Sequence, residues 1–193
     1  MVLTWDQVNP AWPKKPIKLF GPGTESGTFD YFTEAVMGKA KLSRTDYTAS
    51  EDDNVIVQAV SRDINAIGYF GFAYYSENSK KLKAAAILQK DGKTAVLPSL
   101  QTVANASYQP LARPLFIYVN AKALDRPEMR EFVEYYLTQA EHASRLVKSI
   151  PLSAKDYAHT MVNYRVRKIG TAFGGEAEIG VTIEELLKRE PKN

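Results

Sequence analysis

Cysteine is absent from the chain, and histidine is scarce. Without a thiol there is no disulfide, no cysteine nucleophile and no cysteine-ligated zinc. The two histidines, His142 and His159, fall in a stretch with helical patterning and have no acid at a recognisable pairing distance in the sequence. We therefore expect exposed helix histidines rather than a serine triad or a metal site, and we expect no cofactor.

Long apolar runs are missing as well. The longest, such as Leu115–Val119, fall far short of the ~20 residues that a membrane-spanning helix needs. The first residues, Met1–Asp6, lack the basic and apolar segments of a secretory signal. Taken by itself, this start indicates a cytoplasmic chain or one that has been shortened at its front.

Neither sign of charge dominates. The 25 lysines and arginines face 22 aspartates and glutamates, which gives a net charge of +3 spread along the chain. So weak a field does not favour nucleic acid or an anionic membrane as a partner, whereas a small anion is compatible with it. With 193 residues, 45% of them hydrophobic, the chain can form one large domain or two small lobes.

The chain is predicted to begin with a strand, a glycine-rich turn and a helix. Ile17–Phe20 is apolar enough for a buried strand, and Gly21–Thr28 is too rich in glycine for the interior of a strand or helix. The next apolar residues, Phe29, Phe32 and Val36, recur at the spacing of one helix face. The sequence therefore predicts a glycine-rich loop that leads directly into a helix.

Later segments alternate at first and then become helical. The capping-box spacing of Ser50 and Asp53 predicts a second helix with Asp52 in its first turn. Strands are predicted at Ala66–Tyr75, near Ala84–Leu88 and at Leu115–Val119. Helices are predicted from Pro127, at Ala154–Arg167 and at Thr182–Arg189. We expect an α/β lobe over residues 1–120 and a helical part over residues 121–193.

The glycine-rich loop has the features of an anion site. The first turn of a helix presents unpaired backbone N–H groups at the positive end of the helix dipole. Ser26 and Thr28 add hydroxyl donors there, and Gly27 leaves room for an anion to approach the backbone. The spacing of the loop fits neither a P-loop nor a dinucleotide fingerprint, so a small tetrahedral oxyanion is favoured over a nucleotide. The alternative is that Ser26 or Thr28 only caps the helix.

A second candidate group comprises Arg44 and the turn Asp52-Asp53-Asn54, with Asp52 as the candidate ligand. An arginine offers a planar fork that matches an oxyanion, and a nearby carboxylate can orient that fork or accept a proton from the ligand. The alternative is a surface arginine beside a charged first helical turn. The aromatic residues Tyr69, Phe70, Phe72, Tyr74 and Tyr75 could form a ligand platform, but packed strand residues are the better explanation.

Several blocks of sequence resemble a known family. They are Leu19–Glu34, Asp46–Asn54, Ala66–Gly71 and Arg113–Val119, with shorter matches at Phe173–Gly175 and Gly180–Thr182. In this order they resemble the phosphate-binding protein of the bacterial phosphate ABC transporter. The similarity extends over nearly the whole chain.

This resemblance implies an α/β fold like that of type II periplasmic solute-binding proteins. The chain would supply one α/β lobe and the helical returning part of the other. Inorganic phosphate would be bound through hydrogen bonds from Ser26, Gly27 and Thr28, without any reaction. The partner would be the membrane permease of the transporter. The full-length parent would be periplasmic or attached to the cell surface.

The chain departs from the family pattern in two respects. Many members have an arginine where this chain has Pro22, and we take Arg44 as its substitute. We also expect the chain to begin after the segment that precedes this region in the family, which has phosphate contacts of its own. We therefore expect phosphate to bind at least about a hundredfold more weakly than to a complete member. The incomplete lobe is also expected to expose an apolar face and to favour self-association.

Two other functions are compatible with the same loop. One is a phosphatase or phosphotransferase that holds a phosphoryl group at Ser26, although the sequence offers no metal cluster, P-loop lysine or nucleophile with a base. The other is a scaffold that has kept the fold without the ligand. Turnover of a phosphate ester would indicate the first, and stability that does not respond to phosphate would indicate the second.

Overall fold

The computed structural model describes residues 1–173 and 178–189, so that Gly174 and Gly175 of one matching block lie outside the described residues. The chain divides into two compact units, Met1–Ala85 and a second that begins at Ala86. The division that the sequence predicts, into residues 1–120 and 121–193, stays a prediction. Among the helices in the described ranges, none combines the length and apolar character that crossing a membrane requires.

The first unit alternates strands and helices. Its elements are β1 Lys18–Pro22, α1 Gly27–Met37, β2 Thr48–Ser50, α2 Asp53–Arg62, β3 Ala66–Gly68 and α3 Phe72–Asn78. The three strands form a parallel sheet in the order β2-β1-β3. Phe20 of β1 pairs with Thr48 on one side, and Lys18 pairs with Ala66 on the other. Parallel neighbours need a crossover connection, and α1 and α2 provide it. The predicted α/β architecture is confirmed.

Helix α2 supplies the core that holds this sheet. Ile56 and Val57 are only 1% and 5% exposed, on the face of α2 that contacts β1 and β3. Gly68 lets the helix approach closely, because a Cβ at this position would lie 2.9 Å from Cγ2 of Val60. The same Cβ would lie 3.0 Å from the carbonyl oxygen of Phe20. The carboxyl ends of β1 and β3 are therefore tightly packed against α2.

The second unit is mainly helical. Its elements are β4 Ile87–Leu88, β5 Ala95–Val96, α4 Leu100–Ala104, α5 Pro127–Leu146, α6 Ala154–Arg165 and α7 Ile183–Lys188. The predicted helices after residue 120 are confirmed. The helical part buries Leu124, Val133 and Leu186, whereas Phe132 and Tyr135 of α5 are 60% and 68% exposed. A helix face with two exposed aromatic rings is the apolar surface that the sequence predicted for this part.

Three strand predictions need correction. Of the predicted strand Ala66–Tyr75, only Ala66–Gly68 is extended, because Gly71 starts α3 at its N-cap and the aromatic residues enter that helix. Near Ala84–Leu88, only β4 forms. Leu115–Val119 is wrong as a strand: it pairs with no strand in the described part of the chain. Leu115 is 82% exposed, since an apolar run becomes a buried strand only where a neighbouring strand and a covering layer exist.

Candidate anion-binding site

The candidate site lies at the carboxyl edge of the three-stranded sheet. β1 is the central strand, and the chain passes from it to β2 on one side and then to β3 on the other. In open α/β sheets, ligands bind outside the carboxyl ends of the strands where the strand order reverses in this way. The loop after β1 leads to Ser26 and α1, and the loop after β3 contains Tyr69 and Gly71. The fold therefore places the predicted loop where such sheets bind ligands.

Ser26 is the N-cap residue of α1. Its backbone is extended, with φ −84° and ψ 127°, and its Oγ accepts a hydrogen bond from the N–H of Thr28 at 3.2 Å. The Ser26 carbonyl oxygen accepts the first intrahelical bond, from Asp30, also at 3.2 Å. The capping alternative is therefore realised. It does not exclude a ligand, because a hydroxyl that accepts one bond still has its own proton to donate.

Gly27 is the first residue of α1, and it is exposed to solvent. It has no side chain, and it lies at the positive end of an 11-residue helix. Thr28 follows, partly buried, with its hydroxyl one residue further into the same turn. Ser26, Gly27 and Thr28 are thus brought together at one helix start, and their contact with an anion stays a prediction.

The loop before Ser26 is held to its neighbours by several hydrogen bonds. The N–H of Gly23 donates to the carbonyl oxygen of Ser50 at 3.2 Å, which ties the loop to the end of β2. The hydroxyl of Tyr47 donates to the carbonyl oxygen of Pro22 at 3.1 Å. The N–H of Ser26 donates back to the carbonyl oxygen of Gly23 at 3.1 Å and closes a turn. These bonds fix the direction in which α1 begins.

Tyr69 packs behind the loop rather than offering a platform to solvent. Its ring stacks on Phe32 of α1, with ring centres 3.8 Å apart and 13° between the planes. It also lies so close to Gly21 that a Cβ at Gly21 would come within 2.8 Å of its Cε1 atom. Burial, with a smaller contribution from Tyr47, raises the pKa of Tyr69 to about 12. Tyr69 is therefore a neutral packing residue that joins β1, α1 and the loop after β3.

Arg44 is engaged with another residue of its own segment. Its Nε and Nη2 atoms donate to the two carboxylate oxygens of Asp46 at 2.7 and 2.6 Å, and Nη1 donates to the Val2 carbonyl oxygen at 2.7 Å. The bond between them raises the pKa of Arg44 and lowers that of Asp46. The carboxylate that orients the arginine fork is thus Asp46, and not Asp52 as the sequence suggested. Two of the five guanidinium N–H groups remain for other partners, and a role of Arg44 toward an anion stays a prediction.

Asp52 caps α2. Its Oδ1 accepts from the backbone N–H of Asn54 at 2.9 Å and from the Asn54 side chain at 3.0 Å. The predicted capping box is therefore wrong, because Asp52 stands at the N-cap and α2 begins at Asp53. Ser50 instead turns its hydroxyl to the backbone of Asp52, with both bonds at 3.1 Å. A role of Asp52 toward a ligand stays a prediction.

Two acidic residues lie between the loops of this edge. Asp53, which belongs to the candidate turn after β2, lies beside Gly71: a Cβ added at Gly71 would be 3.8 Å from Oδ2 of Asp53, so the start of α2 is next to the loop after β3. Burial raises the pKa of Asp53, and a hydrogen bond with the Gly71 backbone partly opposes that rise. Glu51 reaches the other way: its Oε1 accepts from the N–H of Glu25 at 3.4 Å. No local pattern could identify these contacts, since each joins loops from different strands.

Comparisons with known proteins place this architecture in a family. The sequence model of the PBP superfamily domain matches residues 1–140. The protein SphX of Synechococcus elongatus is 50% identical over 189 residues, which is 98% of this chain and 56% of that protein. The phosphate-binding protein PstS of Staphylococcus saprophyticus is 39% identical over 155 residues, 80% of this chain and 47% of that protein.

A solved structure gives the same result for the fold. The crystal structure of a possible phosphate binding protein from Planctomyces limnophilus is 44% identical and superposes with a TM-score of 0.72. The match covers 86% of this chain and 58% of that one. The chain thus spans about half the length of the curated relatives it matches, and the resemblance stated from its sequence blocks is confirmed. The chain belongs to the PBP superfamily.

Proposed function

We propose that this chain is a phosphate-binding part of a substrate-binding protein of a bacterial phosphate ABC transporter. The observation that carries the proposal is the start of α1, where Ser26, Gly27 and Thr28 meet at the carboxyl edge of a parallel sheet. The names of the relatives PstS and of the structural neighbour support phosphate as the ligand. The permease of the transporter is the proposed partner, and the periplasm or cell surface is the proposed location.

The proposed site binds phosphate without reacting with it. Phosphate oxygens would accept bonds from the Ser26 and Thr28 hydroxyls and from the amides of the first turn, in the favourable field of the helix dipole. Arg44 and Asp52 remain candidate contributors. The edge residues that are fixed in the structure, Asp53 and Tyr69, serve to hold loops together rather than to move protons onto a substrate. This arrangement favours a receptor over a phosphatase or phosphotransferase.

We further propose that the isolated chain binds phosphate weakly and associates with itself. Each charge-assisted hydrogen bond that a longer receptor adds is worth about 1.5–3 kcal/mol, so two of them change affinity by about a hundredfold or more. The exposed rings of Phe132 and Tyr135 on α5 give the helical part a surface suited to association.

Titration of the isotopically labelled chain with inorganic phosphate, followed by amide NMR, tests the site. We expect saturable shifts at Gly27 and Thr28 and a dissociation constant above the submicromolar range. Ser26→Gly should weaken binding about tenfold, because it removes the hydroxyl while costing the helix cap only a few tenths of a kcal/mol. Ser76→Ala is the matched control, since the Ser76 hydroxyl bonds within α3, to Ala73.

The result can contradict the proposal in two ways. Shifts that Ser26→Gly leaves unchanged would place phosphate elsewhere. Shifts that do not saturate at any phosphate concentration would favour a scaffold that does not bind the ion.

A further inference from the structure

The carboxylate of Glu51 rests on the loop that precedes the proposed phosphate site. A Cβ placed on Gly23 would lie only 1.8 Å from its Oε1 and 2.5 Å from its Cδ, so the carboxylate occupies the space that a side chain at residue 23 would need. The same Oε1 accepts the N–H of Glu25, the residue before Ser26. The carboxylate of Glu51, an exposed residue that directly follows β2, therefore lies against this loop.

The charge of Glu51 also acts on a second residue of this edge. Burial raises the pKa of Tyr47, and the negative charge of Glu51 adds to that rise. The Tyr47 hydroxyl donates to the carbonyl oxygen of Pro22 in the same loop. Glu51 thus presents a negative charge beside the helix start at which an anion is proposed to bind.

A fixed negative charge has a simple effect on a neighbouring anion. The repulsion grows in proportion to the charge of the ligand, so an ion with two charges loses twice as much binding free energy as an ion with one. Because affinity depends exponentially on free energy, the fold-change for the doubly charged ion is the square of that for the singly charged ion. A negatively charged residue beside an anion site therefore discriminates between ligands of different charge even when their shapes are the same.

We propose that Glu51 is a specificity-determining residue of the anion loop, where its charge disfavours doubly charged oxyanions more than singly charged ones. The inference rests on the proposed function, since it assumes that the anion binds at the start of α1. It assigns to Glu51 a role that is separate from those of the donors. Inorganic phosphate exists in both charge states near neutral pH, and Glu51 would shift the bound population toward the singly charged form.

The test compares Glu51→Gln with the unaltered chain. Glutamine keeps an oxygen that can accept the Glu25 amide and fills the same space over Gly23, so the variant removes the charge and retains the brace. Sulfate and perrhenate are suitable probes, because both are tetrahedral and carry two charges and one charge respectively. Amide NMR titrations at constant ionic strength and neutral pH give the affinity of each anion at Gly27 and Thr28.

We expect the substitution to raise the affinity for perrhenate about threefold and that for sulfate about tenfold, as the proportional repulsion requires. Glu34→Gln, in the last turn of the same helix, makes the same charge change at the opposite end of α1 and should alter both affinities far less. Equal fold-changes for the two anions, or no change in either, would overturn the role of Glu51.

Failure of the inference about Glu51 can be distinguished from failure of the proposed function. If phosphate shifts Gly27 and Ser26→Gly weakens that binding, the site stands, and equal fold-changes for the two anions or no change in either on Glu51→Gln refute the inference alone. If none of the three anions shifts the start of α1 in the unaltered chain, the proposed function is refuted and the inference with it.

Discussion

The contact between Gly21 and Tyr69 offers a quantitative test of how the carboxyl edge is packed. Gly21 is buried in β1, and a Cβ added there would lie 2.8 Å from Cε1 and 3.2 Å from Cζ of the Tyr69 ring. The ring stacks on Phe32 at 3.8 Å, so relieving the overlap means giving up that stacked contact. Overpacking of this kind costs about 1–3 kcal/mol, and we expect Gly21→Ala to destabilise the first unit by about 2 kcal/mol.

Whether Gly21→Ala lowers or raises the stability of the first unit should depend on the Tyr69 ring. Tyr69→Leu removes the three atoms that a Cβ on Gly21 would meet, Cε1, Cζ and the hydroxyl oxygen. In that background, alanine in a strand is favoured over glycine by about 0.5–1 kcal/mol. Gly21→Ala should therefore be neutral or stabilising there, which gives a coupling of about 2 kcal/mol in a double-mutant cycle.

Urea unfolding followed by tryptophan fluorescence is a suitable assay. The two tryptophans of the chain, Trp5 and Trp12, both lie in the first unit, and the Trp5 indole donates to the Asn65 carbonyl oxygen next to β3. Their fluorescence therefore reports the unit that contains Gly21. An equal loss of stability from Gly21→Ala in both backgrounds would show that the ring does not set the constraint, and would refute the packing described here.

Two further predictions concern charge and association. The bond to Arg44 lowers the pKa of Asp46, so the stability it contributes is present above the unfolded pKa of about 4 and is lost as pH falls through the lower folded value. The free energy of unfolding should accordingly fall less steeply with decreasing pH for Asp46→Asn than for the unaltered chain. Parallel curves of the free energy of unfolding against pH would contradict this. For association, Phe132→Ser with Tyr135→Ser should shift sedimentation toward a monomer, and an unchanged sedimentation coefficient would exclude the α5 face.

The local elements of the first unit could be predicted because their signals are local. The apolar run before Gly21, the glycine-rich turn and the helical spacing after Thr28 all concern neighbouring residues, and they predict β1, a loop and α1 in this order. The bounds differ, since β1 extends to Pro22 and α1 begins at Gly27, both inside the segment predicted as loop. Ser26 could be identified for the same reason, since capping and anion binding both depend on its position before a helix. The capping of α2 was misjudged because Ser50 and Asp52 both satisfy N-cap chemistry, and only the path of β2 decides between them.

The remaining errors arise from partners that lie far away in the sequence. Leu115–Val119 has the composition of a buried strand, yet pairing depends on a neighbour that the pattern of a single segment cannot supply. The bond from the Glu25 N–H to Glu51 and the approach of Asp53 to Gly71 join segments that follow different strands, so no spacing rule reveals them. The sequence offers the Asp52-Asp53-Asn54 turn as a source of a carboxylate that could orient Arg44, but the partner of Arg44 is Asp46, two residues away.

The most direct test of the central claim is a crystal structure of this chain grown with inorganic phosphate. We predict a phosphate ion at the start of α1, with an oxygen within hydrogen-bond distance of the Ser26 hydroxyl and another facing the amide of Gly27. A phosphate ion bound away from this turn, or a side chain of the protein filling the space in front of Gly27, would contradict the claim.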